Sequence, residues 1–93
     1  MDSEPAELPA PETLFAAAVY LATNYVKSGC PMLCHMIMRQ LACIQNHPST
    51  GVSQDLRDVC SRLRDEWERI GIERSQLLRD AAIARGESVG PLH

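Results

Sequence analysis

The sequence lacks the residue patterns that usually carry catalysis. It has no nucleophile with a base and an orienting group at recognisable spacing, no glycine-rich phosphate loop and no aspartate-rich calcium loop. The carboxylates between Asp65 and Glu73 alternate with arginines at spacings of three and four residues, which is typical of ion pairs on a helix surface. We therefore expect a non-enzymatic protein with no catalytic residue, no cofactor and no metal site.

A concentration of positive charge is also missing. The net charge is −3, and because four acids precede residue 13, residues 13–93 carry nine bases and eight acids. Those four acids are Asp2, Glu4, Glu7 and Glu12. A nucleic-acid binder should have a clustered basic face. No secretion signal opens the chain, and the longest apolar run, Leu14 to Ala22, is too short to cross a bilayer. We expect no nucleic-acid partner, no membrane contact and no secretion.

Four cysteines are present, but no C-x-x-C motif. Cys30 and Cys34 are one helical turn apart, as are Cys43 and His47, yet about 20 Å of one helix separates the two pairs. They cannot share one tetrahedral ion, so structural thiols are favoured, with a disulfide or a metal site as the alternatives. Cys30 is expected to be the most reactive thiol, near a helix N-terminus. His35 and His47 are predicted to be solvated.

Apolar periodicity predicts an all-α chain of three helices. Residues 12–27 form the first helix, which Gly29 ends, and Pro31 opens the second, which ends before Pro48. Ser53 is a good N-cap for the third helix, whose apolar positions stay in phase through Gly71 and favour a helix continuous to residue 84, with a kink at Gly71 as the alternative. We predict one helical domain over residues 12–85, between a disordered, acidic, proline-rich tail (1–11) and a frayed C-terminal tail (86–93).

The second helix has more apolar surface than one contact can cover. Cys34, Ile37, Leu41 and Ile44 form a core stripe, and a second stripe of Met32, Met36 and Cys43 lies on another side. Three helices in one subunit can hardly bury both stripes, so a partner is predicted. It is either a second copy of the chain or a different protein.

Two segments joined by a third carry a family resemblance. The first segment is residues 20–31, which end in Ser-Gly-Cys-Pro. The second is residues 55–67, which read Asp-Leu-Arg-Asp-Val-Cys-Ser-Arg-Leu-Arg-Asp-Glu-Trp. The helix that joins them ends near His47-Pro48. Over about residues 14–70 the chain resembles the LasR-specific quorum-sensing antiactivators, the QslA family.

The resemblance implies a cytoplasmic bacterial protein that forms a homodimer. It implies regulation of transcription through a protein–protein interaction, in which the chain binds the ligand-binding domain of a LuxR-type, LasR-like transcription factor. Binding at the receptor's dimerisation surface would prevent the receptor from pairing and from engaging DNA. The family supplies no residue-level map of this contact.

The apolar pattern supplies candidate contact residues. The predicted partner-binding residues are Phe15, Met32, Leu33, Met36 and Ile37. The predicted anchors of the dimer or the core are Leu63, Trp67 and Ile70. Two other functions remain open: a small helix-turn-helix DNA-binding dimer that reads DNA with its third helix, which balanced charge disfavours, and a structural helical subunit of a larger assembly.

Overall fold

The computed structural model describes residues 8–86, which form three α-helices and contain no strand. Helix α1 spans Pro11–Ser28, α2 spans Pro31–Gln45 and α3 spans Gln54–Ala84. The predicted all-α class and the number of helices are confirmed. Most of the two predicted tails, residues 1–7 and 87–93, lies outside the described residues.

Local sequence signals fix where the helices begin and end. Proline occupies the first helical position of α1 and α2, where the missing N–H costs no hydrogen bond, so α1 begins one residue earlier than predicted. Gly29 ends α1 in the left-handed region at φ 68°, and its N–H donates to the carbonyl of Tyr25 at 2.7 Å. Ser53 is the N-cap of α3, because its hydroxyl accepts the N–H of Leu56 at 3.1 Å.

Helix α2 is the central element, packed between α1 and α3. All four residues of its first stripe (Cys34, Ile37, Leu41 and Ile44) are buried. They join Leu14 and Ala18 of α1, Val52 of the loop and Cys60 of α3 in one core. The three helices therefore bury the first stripe within one chain. Of its second stripe, Cys43 packs against the core, while Met32 and Met36 remain exposed.

Gly71 allows α2 and α3 to cross closely. Helix α3 continues through this residue, and a Cβ added there would lie 3.1 Å from Cys34 Cβ and 3.6 Å from Cys34 Sγ. A glycine in a helix interior costs about 1 kcal/mol relative to alanine. Here the missing side chain lets the two backbones approach.

A second contact joins α3 to the end of α1. Arg74 Nε donates to the carbonyl of Gly29 at 2.8 Å, and its guanidinium lies beside the α-carbon of that glycine. About two turns earlier on α3, the Trp67 and Tyr25 rings meet edge to face with centroids 5.4 Å apart. The two contacts align α1 with the middle of α3, so that both helices run in the same direction.

The loop after α2 is held by Arg57 and His47. Arg57 Nη1 donates to the carbonyls of Gln45 and His47, both at 2.8 Å, and Arg57 Nη2 donates to Ser49 O at 3.1 Å. His47 Nδ1 accepts the Ser49 N–H at 3.1 Å, which leaves the proton on Nε2 to reach Pro9 O at 2.9 Å. The prediction of a solvated His47 was wrong, because this side chain is buried and ties the segment before α1 to the loop.

The third helix is much longer than the other two. Its 31 residues span about 46 Å at 1.5 Å per residue, whereas α1 has 18 residues and α2 has 15. The described residues measure 57 × 30 × 22 Å, and their radius of gyration of 17.1 Å exceeds the value of about 12 Å expected for a compact domain of this length. The C-terminal turns of α3 therefore project beyond the α1–α2 pair.

Candidate protein-binding surfaces

The structure separates the predicted partner-binding residues. Met32, Met36 and Phe15 are 62%, 41% and 48% exposed, and Leu33 is half-buried. Ile37 is 1% exposed and belongs to the core. Naming Ile37 as a partner contact was wrong, because it occupies the stripe of α2 that packs against the other two helices.

Phe15 also lies far from the two methionines. Two residues separate α1 from α2, and the helices contact each other, so they run antiparallel. Phe15 is then near the far end of the pair and Met32 near the connection, about 20 Å apart along the helix axis. The predicted contact residues therefore belong to two different surfaces.

The first surface is a groove between α1 and α3. Phe15, Val19 and Val26 share one flank of α1, and the right-handed turn of the helix places that flank beside α3. The α1–α3 contacts at Arg74 and Trp67 bring these residues level with the part of α3 between Val59 and Ile70. We call this surface the α1–α3 groove; it is formed by Phe15, Val19, Val26, Val59, Leu63 and Ile70.

Much of the α1–α3 groove is accessible apolar surface. Val26 is 82% exposed and Leu63 is 36% exposed, and Ile70 is half-buried. Beyond the end of α1 the same side of α3 continues with the exposed Leu77. Of the predicted anchors, Leu63 and Ile70 line the groove, while Trp67 packs against the core and Tyr25.

The second surface is the outer face of the α1–α2 pair, on the side away from α3. Met32 and Met36 are successive on one side of α2, and the side chain of Leu33 is at the edge of the same area. Tyr20, which is exposed, comes from the adjoining flank of α1. We call this surface the hairpin outer face; it is formed by Tyr20, Met32, Leu33 and Met36.

Three groove residues were not among the predicted contacts: Val19, Val26 and Val59. The sequence signal that could have identified them is the wide apolar arc of a helix such as α1. That helix has two adjoining apolar stripes, and only the one with Leu14 and Ala18 is buried. Which stripe faces the core depends on the packing partner, and the sequence of α1 does not contain that information.

A cavity of about 370 Å³ opens between α2 and α3 on the side opposite the groove. Its walls include Pro31, Met38 and Trp67, and its rim includes His35, Glu68 and Arg79. It exists because small residues, Cys34, Gly71 and Ser75, meet where the helices cross. Its lining includes Cys34, Ser75, His35 and Glu68, and no hydrogen bond joins these side chains to one another as a nucleophile, base and orienting group would be joined.

The four cysteines are free thiols in different surroundings. Cys30 is exposed, Cys43 is half-buried, and Cys34 and Cys60 are buried. Burial raises the pKa of the Cys34 thiol, with a further rise from neighbouring Cys30, and burial raises the pKa of Cys60. No group of three histidine, cysteine or acidic residues among residues 8–86 is placed to hold a metal ion.

Thiol reactivity should follow this order of burial. We expect iodoacetamide at pH 8 to modify Cys30 first and Cys43 next, while Cys34 and Cys60 react only as the chain unfolds, because the thiolate is the nucleophile. Timed quenching and tandem mass spectrometry of tryptic peptides measure the order, with fragmentation to distinguish Cys30 from Cys34, which lie in the same peptide. Equal rates at Cys30 and Cys34 would contradict the buried position of Cys34, and labelling in 6 M guanidinium chloride provides the fully exposed reference.

Among the described residues, no helix combines the length and apolar character that a membrane crossing requires. No protein-family model, curated protein or solved structure matches the chain. The α1–α3 groove and the hairpin outer face are the features of the described residues that bear most directly on function.

Proposed function

We propose that the chain is a non-enzymatic antiactivator that acts in the bacterial cytoplasm. It binds the ligand-binding domain of a LuxR-type, LasR-like quorum-sensing transcription factor, occupies the surface through which the receptor dimerises, and so prevents DNA binding. The active form is a homodimer. One observation carries the proposal: a small three-helix chain has two separate exposed apolar surfaces, the α1–α3 groove and the hairpin outer face.

The α1–α3 groove suits self-association. Leu56, Leu63, Ile70 and Leu77 recur on α3 at intervals of seven residues, which is the repeat by which helices pair along a seam. Among residues 8–86, the part of α3 that projects beyond α1 and α2 is largely exposed. A second α3 lying along this seam would cover both the groove and the projecting turns, and the contact is self-complementary, as a twofold dimer requires.

The hairpin outer face then remains free for the receptor. Methionine side chains are flexible and polarisable, so they adapt to a partner's surface, and they are frequent where helices of different sequence are recognised. An exposed apolar helix face can replace one helix of a receptor's own interface. Competition for that interface blocks receptor pairing without any chemical reaction.

The helix-turn-helix alternative is weakened by the use of arginines in α3. Arg57, Arg64 and Arg74 donate hydrogen bonds within the chain, and Arg69 is paired with Glu66. The remaining arginines of α3, Arg62 and Arg79, share the helix with seven acids. A reading helix needs cations directed at phosphates and bases. A structural subunit of a larger assembly would share the exposed surfaces but would not separate receptor dimers.

Size-exclusion chromatography with light scattering tests the proposal. The pure chain should elute as a dimer, and mixing it with a purified LuxR-type ligand-binding domain should give a stable complex in which the receptor is no longer paired with itself. A chain that is monomeric and leaves the receptor dimer intact would refute antiactivation by interface occlusion. Binding without loss of the receptor dimer would instead favour the structural-subunit function.

A further inference from the structure

The α1–α2 pair contains no acidic residue after its first turn. Residues 13–54 include neither aspartate nor glutamate, and their only permanently charged side chains are Lys27 and Arg39. Helix α3, by contrast, has acids and arginines in nearly equal number. The acidic side chains of the three helices are thus concentrated on α3. The hairpin outer face lies wholly on the α1–α2 pair, which has no acid after its first turn.

Both cations lie at the border of the hairpin outer face. Arg39 follows Met36 by three residues on α2, so the two are neighbours on the helix surface. Lys27 is in the last turn of α1, level with Met32 across the two-residue connection. Both side chains are exposed, and neither forms an ion pair among the described residues. The methionines therefore have an unpaired positive charge on either side.

We infer that the hairpin outer face binds an amphipathic helix of a partner protein that carries aspartate or glutamate beside its apolar stripe. This inference rests on the proposed function and specifies the kind of receptor surface that is recognised. Charge complementarity at the border of an apolar contact aligns the partner, speeds association and disfavours partners with lysine at the same positions. The flexible methionine side chains adapt to the apolar side chains of the partner helix, whose sizes and shapes differ from one sequence to another.

The number of cations favours a protein over an anionic membrane. Electrostatic binding to acidic lipids generally uses clusters of four to eight lysines or arginines. The hairpin outer face has two. Two cations, one on either side of the methionines, can instead pair with carboxylates that flank the apolar stripe of a single helix.

Two helical peptides of about 18 residues test the inference. They share one leucine and isoleucine stripe and differ at the positions beside it, which are glutamate in one and lysine in the other. Fluorescence anisotropy with the full chain at 50 mM salt should give about 5- to 20-fold tighter binding of the glutamate peptide, the product of two partly exposed charge pairs. The ratio should shrink as salt is raised to 500 mM.

Charge reversal in the chain identifies the surface. The double variant Lys27→Glu/Arg39→Glu should invert the preference, while the control double variant Arg62→Glu/Arg79→Glu, which makes the same change in net charge on exposed α3 positions, should keep it. Equal binding of the two peptides overturns the inference. So does an equal effect of the control variant, or stronger binding to phosphatidylserine vesicles than to either peptide.

The receptor experiment separates the two proposals. If the glutamate peptide is preferred and a LuxR-type ligand-binding domain does not bind, the proposed function fails and the surface inference stands. If the receptor domain binds and Lys27→Glu/Arg39→Glu weakens it less than twofold, the surface inference fails and the proposed function stands.

Discussion

Leu63→Glu should convert the proposed dimer into a monomer. Leu63 lies in the middle of the α1–α3 groove and of the seven-residue repeat on α3, and the residue is 36% exposed in the single chain. In a dimer formed through this groove, the new carboxylate would be buried without a partner. We expect the dimer dissociation constant to rise about 100-fold or more, which corresponds to about 3 kcal/mol.

The control for Leu63→Glu is Ile72→Glu. Ile72 is on the same helix, is 54% exposed and lines the cavity between α2 and α3, away from the groove. Sedimentation equilibrium measures the dissociation constants of both variants, and far-ultraviolet circular dichroism verifies that both retain their helices. Dissociation by Ile72→Glu, with Leu63→Glu still dimeric, would move the self-association surface to the cavity side of α3.

The helix ends could be predicted because their determinants are local. Pro31 at the first helical position, the left-handed Gly29 and the Ser53 cap each act within four residues of the boundary that they define. The apolar period also gave the buried stripe of α2. These signals need no knowledge of which helix packs against which.

The positions that sequence analysis misplaced depend on residues far apart in the chain. His47 has a polar side chain at a helix end, and its burial follows from a carbonyl at Pro9, 38 residues away. Ile37 has the same apolar character as its neighbour Met36. Only the packing of α1 against α2 places Ile37 in the core and leaves Met36 exposed. The division of the predicted contacts into two surfaces likewise follows from the antiparallel path of α1 and α2.

The border of the α1–α3 groove illustrates the same limit. Val19 and Val26 are apolar residues on a helix whose core side is already supplied by Leu14 and Ala18. Their period shows that they share a flank, but the handedness of the three-helix packing decides that the flank adjoins α3. A helix pattern therefore predicts which residues lie together, and tertiary contacts decide what they face.

Gly71→Val should strongly destabilise the chain. A Cβ at residue 71 would lie 3.1 Å from Cys34 Cβ, and the branched valine adds two methyl groups where α2 and α3 cross. Overpacking of this kind costs about 2–3 kcal/mol, which exceeds the few tenths gained from helix propensity. In a domain of this size the melting temperature should fall by about 10–20 °C.

Thermal unfolding followed by circular dichroism measures the effect, with Ile72→Val as the matched control, because it places the same side chain one residue further along, where the position is exposed. Gly71→Ala should have a smaller effect than Gly71→Val, since its single methyl group requires a shift of only a few tenths of an ångström. If Gly71→Val instead has the same melting temperature as the wild-type chain, α2 and α3 do not cross as closely as described. A loss of stability confined to Gly71→Val would show that the glycine is needed because Cys34 lies so close to it. Helix α3 then packs closely on α2 because it has a residue of low helix propensity at this position.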